Sequence, residues 1–433
     1  MARIPIAKAP SGGRCPTEAA AGRPPEGRGP GRLPAAPAAV VRFLRLDRLD
    51  AGDRAALGFY ALTRVAVLIT GYCAAWLFAG DPEGREAPSF LSLWARWDWD
   101  FFRRIAEHGY FAEPGAPGSA HPDNREAFFP GLPMALRAVH TVVPSWPLAG
   151  LLISFAAGAV AAVALSRIAR LHLPAEAGER AGPRAALFLL VSPCAVFLAV
   201  GYTEALFLAF ALPAWLAAQR NRWALAAVLG ALATTVRVSG LFLAAALVVR
   251  FLVAAREHGR EHGREHRRWR SAGWLAFPAL PALAYSWYLQ AHTGDWMAWK
   301  HAQERGWYRQ FHTPWESWLH TWDGAFSHAH PTSYAAMFQA ELLAMVVGVL
   351  LLAWLVGRRQ WPEAVYVGLS LWALGTSYWY MSVPRATLLW WPLWVTLAVA
   401  SVRRPWVRAA YLTVAAPLAT VLTLVFASGK WAG

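Results

Sequence analysis

Residues 147–166 read PLAGLLISFAAGAVAAVALS, a run without a single charged side chain. A helix of about 20 residues is about 30 Å long, which matches the hydrocarbon core of a bilayer. Inside hydrocarbon the backbone must satisfy its own hydrogen bonds, so such a run is read as a spanning helix. The same pattern recurs on both sides of it. It predicts spans near 54–79, 184–201, 204–219, 223–236, 239–255, 271–290, 334–356, 362–380, 386–402 and 407–428. The expected fold is therefore all-α, a polytopic membrane protein of about 11 transmembrane helices. Segment 127–144 is apolar but carries Pro130, Gly131 and Pro133, and reads as a re-entrant or interfacial piece.

Bulk composition agrees with this reading. The chain is 57% hydrophobic and only 15% charged, whereas soluble domains are about a quarter charged. The net charge of +15 raises the question of nucleic acid. Its basic residues lie between apolar blocks and form no soluble basic face, so no nucleic-acid partner is expected. Cys15, Cys73 and Cys194 show neither a disulfide framework nor metal spacing. Residues 1–50 are rich in Pro, Gly, Ala and Arg and read as a disordered basic cytoplasmic tail. No cleaved signal peptide is expected before the first span. Residues 51–430 read as one transmembrane domain with outer loops 80–146 and 291–333.

Orientation follows from the Lys/Arg bias of cytoplasmic loops. With the tail inside, the inside turns hold Arg167, Arg170, Arg180 and Arg184, then Arg220 and Arg222, then 256–270. Arg358 and Arg359 come next, and Arg403, Arg404 and Arg408 last. The stretch 256–270 repeats Arg-Glu-His-Gly. Its His258, His262 and His266 have helical spacing, but Gly and Arg interrupt them, and a solvated connector is the expected reading over a metal site.

Several polar residues do not fit a purely structural account. Arg96-Trp97-Asp98-Trp99-Asp100-Phe101-Phe102 places two acids among aromatics at the predicted outer surface. Phe101, Ile105 and His108 would share one face of an amphipathic helix. Asp98 suits either a general base or a helix cap. Glu204, after Gly201-Tyr202-Thr203, suits either a helix start or the orientation of a polar substrate. Arg237 and Arg385 are placed outside, against the general bias. A charge near membrane depth is costly, and a guanidinium fork suits phosphate, although snorkelling to headgroups is the alternative. Loop 291–333, with Trp296, Trp299, His301, Trp307 and Trp315, suits either sugar stacking or an interfacial belt.

Three blocks carry a family resemblance. They are Arg96-Trp97-Asp98 running on to Ile105-Ala106-Glu107-His108-Gly109-Tyr110, then Ala127-Phe128-Phe129-Pro130-Gly131, then Ser192-Pro193 through Phe197, Gly201-Tyr202 and Glu204, followed by Arg237 and Gly240. Together they resemble the PIG-V family, the second mannosyltransferase of glycosylphosphatidylinositol assembly and its bacterial relatives. The resemblance is dense over residues 94–245 and thin afterwards. It implies a GT-C type fold and inverting transfer of mannose from polyprenyl-phosphate-mannose to a glycolipid or glycan acceptor on the extracytoplasmic face. On that reading Asp98 and Asp100 are the catalytic acids, and Arg237 and Arg385 hold the donor phosphate. Trp97, His108, Tyr110, Tyr202 and Glu204 contact substrate, and neither metal nor cofactor is needed. The Arg, Ala and Gly richness fits a GC-rich bacterial genome and hence a plasma membrane, with the endoplasmic reticulum as the eukaryotic counterpart. The alternative is a polytopic lipid or sugar flippase, which should carry ionisable groups inside several spans. The predicted spans are nearly free of central acids.

Overall fold

The computed structural model describes residues 49–78, 89–112, 122–258 and 271–433. Most of the tail and most of the Arg-Glu-His-Gly repeat lie outside these residues. In chain order the helices are α1 (Ala51–Leu77), α2 (Trp99–His108), α3 (Gly131–His140), α4 (Trp146–Arg170), α5 (Ala175–Leu190), α6 (Thr203–Gln219), α7 (Trp223–Val236) and α8 (Ser239–His258). After a 3₁₀ stretch, Ala272–Ala279, come α9 (Leu280–Thr293), α10 (Ala298–Trp307), α11 (Pro314–Phe326), α12 (Thr332–Gly357) and α13 (Trp361–Gly375). The last three are α14 (Val383–Ala386), α15 (Trp391–Arg403) and α16 (Pro405–Ala427).

Every one of the predicted apolar segments is helical over most of its length. Among the described residues five helices, α1, α4, α8, α12 and α16, are long and apolar enough to cross a membrane. A sixth span results if 383–389 and α15, which meet at a 72° bend, count as one. The remaining apolar segments form shorter helices, α6 and α7 among them. The Pro-interrupted segment yields only the ten-residue α3, about 15 Å long and too short to cross.

Helix α1 shows why these sequences pack as an integral membrane protein. Its inward stripe carries Ala56, Tyr60, Gly71 and Ala74, while Leu62, Val65, Ile69, Tyr72 and Trp76 are exposed. Small residues let helix backbones approach, and large apolar ones face lipid without cost. Helix α12 repeats the pattern, with Leu343, Val346, Leu350 and Trp354 outward and Leu342, Met345 and Gly348 inward.

The bundle has two chemically distinct ends. At one, buried Asp53 near the start of α1 accepts from Arg167 and Arg170 at the end of α4, each at 2.5 Å, and Arg170 also reaches Asp50 at 2.7 Å. At the other end, the start of α4 packs against the Gly201 turn and the loop helix α2. Trp99 of α2 is clamped there. A Cβ on Gly150 would lie 2.5 Å from its indole, and one on Gly201 would lie 2.4 Å from it. The buried face of α2 is Trp99, Phe102, Ile105 and Ala106. The predicted face of Phe101, Ile105 and His108 is therefore rotated, because the indole of Trp99 fixes the phase of the helix.

Gly201→Ala is expected to overpack this clamp and to lower stability by about 1–3 kcal/mol. Thermal unfolding in detergent should show the loss. Gly58→Ala, where an added Cβ meets nothing within 4 Å, should leave the transition unmoved.

Candidate active site

The site forms where the chain enters α2. Trp97 adopts a left-handed backbone conformation (φ 52°), which turns the chain sharply before Asp98. The Tyr202 hydroxyl donates to the Arg96 carbonyl at 2.6 Å, and the Trp97 indole donates to the Lys430 carbonyl at 3.2 Å. Two distant segments thus pin the turn that presents Asp98.

Asp98 stands at the N-cap position of α2, but its side chain makes no capping bond. Its Oδ2 accepts from Arg385 Nη1 at 2.8 Å. The cap alternative is therefore excluded by geometry. Arg385 Nε donates to Glu204 Oε1 at 2.6 Å. The same Glu204 oxygen accepts from Arg237 Nη1 at 2.6 Å, and Arg237 also donates to Thr203 Oγ1 at 2.5 Å. One continuous chain of charge results: Asp98, Arg385, Glu204, Arg237. The Arg385 guanidinium also lies over the rings of Phe197 and Tyr202, at 4.7 and 4.8 Å from their centroids. These contacts favour a cation held away from water.

Arg385 is held in place by a residue that sequence reading missed. Fully buried Glu341 of α12 accepts from the backbone N–H of Ser382 and of Val383, both at 2.7 Å. It caps the four-residue helix α14 on which Arg385 sits, after a left-handed Ser382. An acid in the middle of an apolar segment was the available signal, but its partners lie some 40 positions away. Both of its oxygens are engaged by backbone N–H groups.

Beside this network is a cavity of about 340 Å³. Asp98 and Arg385 line it, together with Trp97, Tyr202, Phe338 and Trp431 among other aromatics. A carboxylate that can accept a proton and an arginine that can hold an anion face one apolar space. Aromatic faces around it suit a sugar or an isoprenoid chain. Among the described residues no group of His, Cys, Asp and Glu is placed to hold a metal ion.

The other predicted site residues are distributed differently. Glu204 supports the cavity from behind and does not line it, and the same holds for Arg237. Asp100 points away. Two residues along a helix turn a side chain by about 200°, and its exposed carboxylate pairs with Arg103 at 3.0 Å. His108 is partly exposed beside Glu107. Tyr110 is buried elsewhere, donating to the Phe128 carbonyl at 2.7 Å and packing on Tyr285. Asp100 and His108 are therefore carried off the cavity by the face of α2 that packing selects, and Tyr110, beyond the end of the helix, is held away from it by Phe128 and Tyr285. From loop 291–333 the cavity takes Trp307 and His330.

Comparison with known proteins bears on residues 86–258, which match the family described as Mannosyltransferase (PIG-V). The GPI alpha-1,6-mannosyltransferase 2 of Cricetulus griseus is 36% identical over 177 residues, covering 38% of this chain and 32% of that protein. The Mus musculus protein of the same name is 37% identical over 184 residues, covering 39% and 34%. The Homo sapiens protein is 36% identical over 161 residues, covering 34% and 29%. The chain thus matches about a third of the length of these curated relatives. Asp98, Glu204 and Arg237 fall inside the matched region, and Arg385 falls outside it.

Removing one partner from a buried ion pair leaves the other uncompensated, at a cost of about 3–5 kcal/mol. Glu204→Gln, which exposes both Arg237 and Arg385 to that penalty, should lower thermal stability accordingly. In a double-mutant cycle, Arg237→Gln added to Glu204→Gln should cost much less than it does alone. Full additivity would show that the pair carries no coupling.

Proposed function

We propose that this chain, which belongs to the PIG-V mannosyltransferase family through residues 86–258, transfers mannose from polyprenyl-phosphate-mannose to a glycolipid or glycan acceptor at the extracytoplasmic face. The observation that carries this reading is the Asp98–Arg385 pair on the wall of an aromatic cavity. Asp98 takes the proton of the acceptor hydroxyl. The hydroxyl oxygen forms a bond to the anomeric carbon as the bond from that carbon to the phosphate oxygen breaks, with inversion. The electron pair leaves with the polyprenyl phosphate, whose growing negative charge Arg385 stabilises.

Arg385 binds Asp98 before any donor is present. A donor phosphate competes for the same guanidinium, so its arrival releases the carboxylate to act as base. Arg237 acts indirectly: by sharing Glu204 it helps hold Arg385 in position. Asp100, on the opposite face of α2, has no part in the chemistry on this reading.

Orientation and fold are part of the same proposal. Asp53, Arg167 and Arg170 cluster at one end of the bundle, and α1 and α4 are each long enough to separate that end from the cavity by a full bilayer. The basic end is assigned to the cytoplasm by the Lys/Arg rule, which leaves the cavity opening to the other side. The short apolar helices between the long ones bring the number of crossings to about 11 in a GT-C type arrangement.

The test uses purified protein in nanodiscs with radiolabelled polyprenyl-phosphate-mannose and a lipid acceptor extract. Loss of a general base costs about 10²–10⁴ in rate, so Asp98→Asn should lower transfer by at least about a hundredfold. Asp100→Asn should keep close to the original rate. Undiminished transfer by Asp98→Asn sinks the base assignment, and label that moves across the membrane without being transferred supports the flippase instead.

A further inference from the structure

The loop between α10 and α11 carries a cation that the network above does not employ. Arg309 is not itself among the residues lining the cavity, but it lies two residues after Trp307, which is one of them. The loop is laid along the segment that leads to Arg385. Tyr378 N donates to the Tyr308 carbonyl at 3.1 Å, and His312 N donates to the Thr376 carbonyl at 3.0 Å. Among the described residues Arg309 Nη2 reaches only the carbonyl of Met381, another cavity-lining residue, at 3.4 Å. Its Nε is buried with no hydrogen-bond partner among the described residues.

An arginine in this position is costly. Arg237 and Arg385 each have a carboxylate in contact, whereas among the described residues no carboxylate pairs with Arg309. Burial pushes its pKa down to about 10, and the nearby charges of Arg237 and Arg385 push it the same way, while Glu341 and Asp98 oppose them. The group is still a cation at neutral pH. A half-buried guanidinium with a buried, orphaned Nε and like charges nearby is a poor structural element. It is a good receptor for an anion that arrives with the substrate.

We propose that Arg309, together with Arg385, binds the phosphate of the lipid-linked sugar donor, the place that the family resemblance gave to Arg237. This assignment rests on the reading of the cavity as the site for a lipid phosphate. The chemistry follows from the change in charge during transfer. The bound donor is a phosphodiester with one negative charge, and the departing lipid phosphate gains a second. A cation without a carboxylate of its own responds fully to that gain, so it stabilises the transition state more than the ground state. Arg237, whose Nη1 is held by Glu204 and Thr203, supplies less.

The experiment measures equilibrium binding to the full chain in phosphatidylcholine nanodiscs. The probes are a polyprenyl monophosphate, the matching uncharged polyprenol, and phosphatidylglycerol as an ordinary membrane phosphodiester. The variants are Arg309→Gln and the charge-retaining Arg309→Lys, each checked for its thermal transition. A charge-assisted hydrogen bond of about 1.5–3 kcal/mol corresponds to about tenfold or more in affinity. Arg309→Gln should therefore lose at least about tenfold in binding of the polyprenyl phosphate while polyprenol binding is unchanged, and Arg309→Lys should recover most of the loss. Equal weakening of the phosphate and the alcohol overturns the proposal, since it would mean that Arg309 only props the Met381 carbonyl. Unaltered binding by Arg309→Gln overturns it as well, as does phosphatidylglycerol competing on equal terms with the polyprenyl phosphate. Mannosyl transfer by the same samples is read separately. Arg309-dependent binding without transfer would leave the phosphate site standing and bring down the enzymatic reading, whereas transfer unaffected by Arg309→Gln would do the reverse.

Discussion

Arg385 grips two carboxylates at once, Asp98 through Nη1 and Glu204 through Nε, and these partners lie 287 and 181 positions away in the chain. Its charge lies over two aromatic rings that pack on each other, out of bulk water. A cation there is tolerable only because both acids are present, and the acids are tolerable only because of the cation. That mutual dependence fixes the loop before α2, the start of α6 and the short helix α14 relative to one another.

The surroundings can be read as devices that keep this interaction in register. Glu341 caps α14 from within a lipid-facing helix. Tyr202 and Lys430 hold the Arg96–Trp97 turn from two sides. Gly150 and Gly201 admit the indole of Trp99 and so set the rotation of α2. The rotation decides that Asp98 faces the cavity and Asp100 faces away. A preorganised arrangement of this kind suits chemistry in which charge moves from one oxygen to another with little rearrangement of the protein.

The bilayer imposes the second constraint. Long helices with a narrow small-residue stripe and a broad apolar face make a bundle whose outer surface is indifferent to lipid. Charged clusters then gather mainly at the two ends, with Arg64 and Glu341 as buried exceptions within the long helices. One end is closed by the Asp53, Arg167 and Arg170 cluster. The other carries the cavity, with Asp98 and Arg385 on its wall.

The sequence by itself determined that this is a membrane-embedded helical protein, because length and apolarity of a segment are local properties. Helices α6 and α7 were readable almost to the residue for that reason. The motif around Trp97-Asp98 and the Gly201-Tyr202-Glu204 turn were equally visible, since each is contiguous. Which charges meet was decided only by the tertiary structure. Asp98 and Asp100 are indistinguishable by composition and differ only in helical phase, which Trp99 packing sets from another part of the chain. Glu341 and Arg309 passed unnoticed because an isolated charge acquires meaning from its partner or its lack of one, and Coulombic pairing depends on distance in space, not on separation along the chain.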